Sequence, residues 1–144
     1  MFRFNKDMEY ALIALVEMTR RDALVSARVL SERYAIPYKL LARILQKLSA
    51  DGVVASTKGP HGGYELAEAP EAVRLGRVIK AVRGDEKIAD CLADDGSCLQ
   101  EDCGCTIKPY VQVFQEKWLD FVENTTLDEF ARSAPKGRAA GVAG

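Results

Sequence analysis

Long apolar runs are missing from this chain of 144 residues, and none approaches the ~20 residues that a membrane-spanning helix needs. Charged side chains (Lys6, Asp7 and Glu9) interrupt the N-terminal stretch, where a secretory signal requires an apolar core. We therefore expect neither membrane insertion nor export, and we expect a cytoplasmic location. A chain of this length buries about 70% of its unfolded surface, so its core needs no metal or disulfide.

Histidine is also scarce, because His61 is the only one. No constellation of histidines or carboxylates suited to catalysis is recognisable, which argues against an enzyme. An excess of one sign of charge is missing as well, since 20 basic and 21 acidic side chains leave a net charge of −1. The charges are nevertheless segregated: residues 20–60 hold eight basic and three acidic side chains, whereas residues 85–105 hold one lysine and seven acidic ones. The first block suits a polyanionic partner and the second does not.

The first part of the chain has the order of elements of a winged helix-turn-helix. Ser26 is placed to cap a short second helix. Pro37 suits the first turn of a third helix, and Gly52 suits its C-terminal end. A glycine-rich turn then joins two short strands. The predicted elements are helices over residues 6–20, 27–33 and 37–50, strands over 53–57 and 64–66, and a further helix marked by apolar residues from 73 and ending at 84.

The third predicted helix is amphipathic and basic. Leu40, Ile44 and Leu48 lie four residues apart on its apolar stripe, while polar and basic side chains share the opposite face. Arginine reads guanine, glutamine reads adenine, and lysine mostly neutralises phosphates. The alternative is an ordinary solvated helix face. From the second helix, this helix and the wing, we expect DNA contacts by Arg28, Tyr38, Lys39, Arg43, Gln46, Lys47, Lys58 and His61.

All four cysteines lie within fifteen residues, at positions 91, 98, 103 and 105. In a reducing cytoplasm such a group is expected to bind metal or to act in redox chemistry. The intervals of six, four and one residues fit paired zinc motifs poorly. Iron–sulfur clusters tolerate more varied spacing and accept a non-cysteine ligand. The alternatives are a thiol–disulfide switch and reduced cysteines without a function.

Regular apolar spacing returns near residue 107 and predicts a long helix. Intervals of four and three residues are typical of a coiled-coil seam and hence of dimerisation, with packing against the chain's own domain as the alternative. Thr126 and Glu129 are spaced to cap a final short turn, and we expect the tail from Ser133 to be disordered. The positions of the predicted seam are Ile107, Val111, Phe114, Trp118, Phe121 and Thr125.

These elements predict a mainly α fold with a small β-hairpin wing, in which a winged helix-turn-helix is followed by a long C-terminal dimerisation helix. The expected organisation is a DNA-binding domain over residues 1–84, a cysteine-rich loop over 85–106, the dimerisation helix and its cap over 107–131, and a tail over 132–144.

Three segments resemble the IscR/NsrR family of winged-helix regulators: KLLARILQKLSADGVVASTKGPHGGYELA, CLADDGSCLQEDCGCTIKP and NTTLDEF. The resemblance extends from about residue 4 to residue 131. Members of this family are bacterial transcription factors, and many sense iron–sulfur status, nitric oxide, iron or redox state through a cluster. The resemblance implies a homodimer that binds double-stranded DNA at an imperfect palindrome.

The resemblance also implies three cluster ligands, Cys91, Cys98 and Cys105. Their two intervals of six residues are each one residue longer than the commonest family pattern. Cys103 is an addition to that pattern. Whether the cluster is [2Fe-2S] or [4Fe-4S] stays open.

At the position of the fourth ligand, this sequence differs from one branch of the family. Where the iron–sulfur biogenesis regulator has a histidine, this chain has Lys108, which does not ligate iron at neutral pH. Other members take a carboxylate from the first helix of the partner subunit, and the matching residue here is Glu9. Glu9 and Cys103 remain equal alternatives, with Asp7 or a loop carboxylate ranked behind them.

We therefore expect a homodimeric transcriptional regulator whose operator affinity is modulated by an iron–sulfur cluster that senses redox, iron or nitric oxide status. The alternative is a cluster-free regulator with a thiol–disulfide switch. An iron–sulfur electron carrier or enzyme is disfavoured, since neither needs a basic recognition helix or a wing.

Overall fold

The fold is that of a computed structural model that describes residues 4–85, 87, 89–92, 98 and 104–133. It confirms the predicted class, because the described residues are mainly helical and contain one two-stranded antiparallel hairpin. The elements are α1 (Lys6–Arg21), α2 (Ala27–Tyr34), α3 (Tyr38–Ala50), β1 (Val54–Thr57), β2 (Gly63–Leu66), α4 (Leu75–Arg83), a 3₁₀ turn (Asp90–Leu92), α5 (Lys108–Asn124) and α6 (Leu127–Ser133).

Side chains at the helix ends explain several of these bounds. The Asn5 side chain accepts a hydrogen bond from the Met8 amide at 3.0 Å at the start of α1. Ser26 accepts one from the Val29 amide at 3.1 Å at the start of α2, which confirms the predicted cap. Each bond satisfies a backbone amide that has no partner within its own helix.

The apolar stripe of α3 lies at the centre of the core. Leu41, Ile44, Leu45 and Leu48 are fully buried, whereas Leu40 is only partly buried at the margin of the stripe. The core continues into α1, α2, α4 and the start of β1, and it includes Val122 from α5 and Leu127 from α6. One core therefore joins α3 to the C-terminal helices.

The hairpin is fixed to the loop between α1 and α2. Val25 and Tyr64 exchange two backbone hydrogen bonds of 2.9 Å each, so the segment before α2 runs beside β2. A Cβ at Gly63 would lie 2.8 Å from the Val25 carbonyl oxygen, and a Cβ at Gly62 would lie 2.0 Å from that of Thr57. Both glycines are required by these close backbone approaches.

Helix α5 returns to the start of α4. The Leu75 amide donates to the Thr125 carbonyl at 2.8 Å, and the Leu127 amide donates to the Val73 carbonyl at 2.9 Å. These two bonds lie on either side of an antiparallel bridge between Arg74 and Thr126. They therefore join the C-terminal end of α5 to the N-terminal end of α4.

One position of the predicted seam on α5, Trp118, is half-buried by the chain itself. This side chain packs against the chain's own core, next to the buried residues Gln115 and Val122. Phe114 and Phe121 remain exposed at 44% and 55%. The predicted seam positions therefore lie partly on the face of α5 that packs against the chain and partly on an apolar stripe that faces outward. The heptad period alone does not indicate which side of a helix packs against its own domain.

The chain end also differs from expectation. Helix α6 continues through Ser133, so the segment expected to be a tail begins with helical residues. Thr126 caps this helix by accepting from the Glu129 amide at 3.4 Å, as predicted. The rest of the predicted tail, residues 134–144, lies outside the described residues.

Candidate nucleic-acid interface and cysteine segment

The outward face of α3 carries exposed polar side chains, as its amphipathic pattern predicts. Tyr38, Lys39, Arg43 and Gln46 are all exposed. Arg28 from α2 joins them, because its guanidinium carbon lies 5.6 Å from the centre of the Tyr38 ring. This cation–π contact holds Arg28 beside the first turn of α3.

Arg43 has a partner that the sequence pattern did not indicate. Its Nη2 atom lies 3.8 Å from the Oδ2 atom of Asp7 in the first turn of α1. The arginine side chain is 61% exposed, so water screens this ion pair and its contribution to stability is small. The ion pair of Arg43 is therefore weak, and its guanidinium remains accessible to a polyanion.

Lys47 lies on the same helix but contacts a different element. Its Nζ atom donates a hydrogen bond to the Val82 carbonyl at 3.0 Å, in the last turn of α4. On the wing, Lys58 and His61 are exposed in the turn between the two strands. The structure thus brings Arg28 and Tyr38 together, leaves Lys39, Gln46, Lys58 and His61 facing outward, and directs Lys47 to α4.

A buried carboxylate fixes α1 against α2. Glu17 is 3% exposed, and it accepts hydrogen bonds from the Tyr34 hydroxyl at 2.6 Å and from Arg21 Nε at 2.5 Å, with Arg33 Nη1 3.6 Å away. Burial raises the pKa of Glu17, but the bonds from Tyr34 and Arg21 and the charge of Arg33 outweigh it, so the pKa lies below its usual value.

The same contacts act on the other partner. Burial and the neighbouring Glu17 carboxylate together raise the pKa of Tyr34. The tyrosine therefore stays protonated and keeps donating to Glu17. Because Arg28 also belongs to α2, this cluster helps to fix the helix that presents it.

Three of the four cysteines, Cys91, Cys98 and Cys105, lie among the described residues. Cys91 lies in the 3₁₀ turn, and Cys91, Cys98 and Cys105 are all half-buried with no disulfide among them. Within the part of the chain that the structure describes, no three His, Cys, Asp or Glu side chains come close enough to hold a metal ion. Cys103, the rival fourth ligand, lies outside the described residues.

Glu9, the other candidate for a fourth ligand, lies in the first turn of α1. Its Oε2 atom is 2.7 Å from Lys6 Nζ, and the glutamate side chain is 41% exposed. The carboxylate is thus accessible from outside the chain, provided that it exchanges the lysine for a new partner.

A family profile described as Rrf2, iron-dependent transcriptional regulator, matches residues 4–133. The chain belongs to the Rrf2 family. Several relatives support this assignment. A chain of Aquifex aeolicus assigned as an HTH-type transcriptional regulator is 31% identical over 128 residues, which cover 88% of this chain and 89% of the relative.

Two further Rrf2-family relatives carry names that match the resemblance seen in the sequence. The transcriptional regulator IscR of Erwinia tasmaniensis is 29% identical over 133 residues, covering 91% of this chain and 79% of the relative. The regulator NsrR of Halalkalibacterium halodurans is 24% identical over 123 residues, covering 85% of this chain and 84% of the relative. These relatives are transcriptional regulators rather than enzymes.

Solved structures show the same fold. CymR, the global cysteine regulator of B. subtilis, superposes with a TM-score of 0.73 at 18% identity, covering 94% of this chain and 100% of CymR. IscR of T. potens superposes with a TM-score of 0.72 at 19% identity, covering 96% of this chain and 93% of that protein. Among the residues described here, no helix has the length and apolarity needed to cross a bilayer.

Proposed function

We propose that this Rrf2-family regulator acts as a homodimer in the cytoplasm, where an iron–sulfur cluster held by Cys91, Cys98 and Cys105 modulates its affinity for operator DNA. The observation that carries the DNA-binding part is the exposed face of α3, which stands beside the anchored wing and has Arg28 stacked on Tyr38. The cluster part is supported by the donor set and by the iron-dependent description of the family.

On the DNA, the side chains of this face divide by chemistry. Arg43 and Gln46 have the groups that read guanine and adenine edges in the major groove. Lys39, Lys58 and His61 are placed to contact the backbone, which supplies affinity without sequence information. Arg43 must exchange Asp7 for the base, and its long, exposed ion pair makes that exchange inexpensive.

The dimer is proposed from the outward stripe of α5. Tyr110, Phe114 and Phe121 lie on one side of this helix and are exposed at 76%, 44% and 55%. An aromatic stripe of this kind is typical of an interaction surface. Two copies related by a twofold axis would present two α3 helices to major grooves about 34 Å apart, hence the imperfect palindrome.

The dimer can be tested by sedimentation equilibrium. A charge placed on the stripe by Phe121→Glu should weaken association by roughly thirtyfold or more, as for a buried aromatic anchor. Glu116→Gln, an exposed charge change on the same helix, should leave association unchanged. A wild-type chain that is monomeric at micromolar concentration would contradict the proposed dimer.

The residues present fit an iron–sulfur cluster by their chemistry. Cys91, Cys98 and Cys105 supply three thiols from one segment between α4 and α5, and thiolates are the usual ligands of such clusters. A bound cluster would supply a group whose charge and ligation respond to oxidation, iron loss or nitric oxide. Glu9 from the second copy, after release of Lys6, or Cys103 from the same copy would complete the ligands.

The test is the visible spectrum together with the iron and acid-labile sulfide content of protein purified without oxygen. Wild-type protein should be coloured, and Cys98→Ser should lose most of the iron. Glu9→Gln and Cys103→Ser then compare the two candidates for the fourth position, with Glu71→Gln as a matched control on an exposed carboxylate. Colourless wild-type protein that resists reconstitution would contradict the cluster.

A thiol–disulfide switch is the second candidate, and one observation favours it. Cys91, Cys98 and Cys105 are half-buried thiols of one segment and are not joined to one another by a disulfide, so an added oxidant such as diamide finds reduced thiols there to join. This candidate predicts colourless protein whose mobility on a non-reducing gel changes after diamide treatment. Cys103→Ser or Cys105→Ser should abolish that change.

A further inference from the structure

The side chains of Lys47 and Arg77 join the C-terminal end of α3 to α4, and we call this pair of contacts the clasp. Lys47 Nζ donates to the Val82 carbonyl at 3.0 Å. In the other direction, Arg77 Nη2 donates to the carbonyls of Asp51 and Gly52, just after α3, at 3.1 and 3.2 Å. Each helix therefore supplies a cation to carbonyl oxygens at or beyond the end of the other.

Both contacts are favourable for simple electrostatic reasons. The Val82 carbonyl lies in the last turn of α4, where carbonyls lack a partner within the helix and where the helix dipole attracts a cation. Arg77 is further held by Glu68, whose Oε2 atom lies 2.8 Å from Arg77 Nη1. The Lys47 ammonium is thus directed to α4, although the amphipathic pattern of α3 places this residue beside Arg43.

Helix α4 is also in contact with α5. Its N-terminal end is joined to α5 by the bonds from Leu75 to Thr125 and from Leu127 to Val73. A Cβ at Gly76 would lie 2.3 Å from the Glu123 side chain, so α4 and α5 pack closely. The cysteine segment begins directly after α4. The clasp therefore joins α3, the helix proposed to read DNA, to α4. The cysteine segment follows α4 in sequence, and α5, which carries the outward stripe, packs against α4.

We infer that Lys47 is a positioning residue that sets the orientation of α3 against α4, and thereby the separation of the two recognition helices in the dimer, instead of contacting a DNA phosphate. This inference rests on the proposed function, because it concerns how a dimer reads two half-sites. It assigns to Arg77 the supporting half of the same clasp.

The test uses DNA duplexes that the wild-type chain selects from a random-sequence pool. Binding of wild-type, Lys47→Met, Lys47→Arg and Lys39→Met proteins is measured as a function of salt concentration. It is also measured on duplexes whose half-sites are moved together or apart by one base pair. Methionine keeps the length of the lysine side chain and removes its charge, and Lys39 is the matched control because it faces outward on the same helix.

The clasp predicts that Lys47→Met weakens binding to the best duplex by about fivefold or more, because the orientation of α3 is then coupled less strongly to the spacing of the half-sites. The salt dependence should stay unchanged, while the preference among half-site spacings should flatten. Lys47→Arg should restore that preference. Lys39→Met should instead reduce the slope of log affinity against log salt by about 0.9 per lost phosphate contact, with the spacing preference intact.

Two results would overturn the inference. One is a Lys47→Met protein whose salt slope falls as it does for Lys39→Met while the spacing preference is kept, which would make Lys47 a phosphate contact. The other is a Lys47→Met protein that matches wild type in affinity, slope and spacing preference. If the wild-type chain selects no duplex at all, the proposed function itself is wrong. This outcome is distinct from a failure of the inference about Lys47, which requires a wild-type chain that binds DNA.

Discussion

Polar side chains of the winged-helix half (residues 4–84) hold its helices together, whereas the described cysteines of the cysteine segment (residues 85–106) lie outside the core. In the winged-helix half, Glu17, Lys47 and Arg77 all bond to groups of the same chain. No buried side-chain nitrogen or oxygen among the described residues lacks a hydrogen-bond partner. In the cysteine segment, three half-buried thiols form no three-ligand group within the described residues.

Under the proposed function, this difference separates the residues that fold the chain from those that sense the signal. The core is assembled by α1–α4, β1, Val122 and Leu127, and it contains none of the described cysteines. Changes in the winged-helix half should therefore act on the free energy of unfolding or on DNA affinity directly. Changes at the cysteines should act on the response to the signal and leave the fold intact. The predictions below test this separation.

The largest effect on stability is expected at Glu17. Glu17→Ala should lower the free energy of unfolding by about 2 kcal/mol, because it leaves the Tyr34 hydroxyl and two arginines without their shared acceptor. Chemical denaturation measures this loss. Glu32→Ala, an exposed carboxylate on α2, is the control and should change the value by less than about 0.5 kcal/mol. Equal losses in both variants would show that the cluster does not stabilise the fold.

The pH dependence sharpens the same prediction. Because the pKa of Glu17 is lowered by folding, its stabilising contribution is fully present above the ordinary value of 4.5 and is lost as pH falls through the lower pKa of the folded state. The difference in unfolding free energy between wild type and Glu17→Ala should thus shrink below pH 4.5. A difference that grows on acidification would contradict the assigned direction.

The next effect concerns DNA affinity without stability. Arg43→Ala should weaken binding to the selected duplex by roughly tenfold to a hundredfold, since a bidentate arginine–guanine contact is lost. The unfolding midpoint and the iron content should not change, because the Arg43 side chain is 61% exposed and lies outside the buried stripe of α3. Arg132→Ala on α6 is the matched control. Loss of colour in Arg43→Ala would show that its helix serves the metal site instead.

A smaller effect of opposite sign is expected at Asp7. Asp7→Asn should strengthen DNA binding by about twofold to fivefold, because Arg43 no longer has to leave an ion pair. In an Arg43→Ala background the same substitution should have no effect. Fluorescence anisotropy titrations of the four proteins form a double-mutant cycle that measures this coupling. Equal gains in both backgrounds would mean that Asp7 repels DNA directly.

The smallest effect on folding is expected at the cysteines. Cys98→Ser should leave the free energy of unfolding of metal-free protein within about 0.5 kcal/mol of wild type, as for a substitution outside the core. Denaturation of metal-free samples measures this value. A loss comparable to that of Glu17→Ala would break the separation between the two regions.

Local features of the fold were predictable because their signals lie in neighbouring residues. Ser26 caps α2 as its sequence context indicates, and the spacing of Ile44 and Leu48 identifies the buried face of α3. Only the bounds shift by a residue: α3 begins at Tyr38, and β2 begins at Gly63, where backbone pairing with Thr57 starts the ladder.

Contacts between distant parts of the chain were not predictable from a local pattern. Lys47 has the spacing of a DNA-facing residue, yet the last turn of α4, distant in sequence, lies within reach of its ammonium. The pair of Asp7 with Arg43 depends likewise on how α1 crosses α3. Trp118 fits a heptad seam equally well, but it packs partly against the chain's own core. Each of these positions depends on tertiary packing.

The most direct test of the central claim is the affinity for the selected duplex of one protein preparation, measured without oxygen before and after its iron is removed by chelation. Coupling between the cysteine segment and α3 predicts a change in affinity between about fivefold and 150-fold. Cys98→Ser protein should show a single affinity under both conditions. Iron-loaded and iron-free wild-type protein that bind the duplex equally would contradict the account, and the DNA-binding face would then act without the cysteine segment.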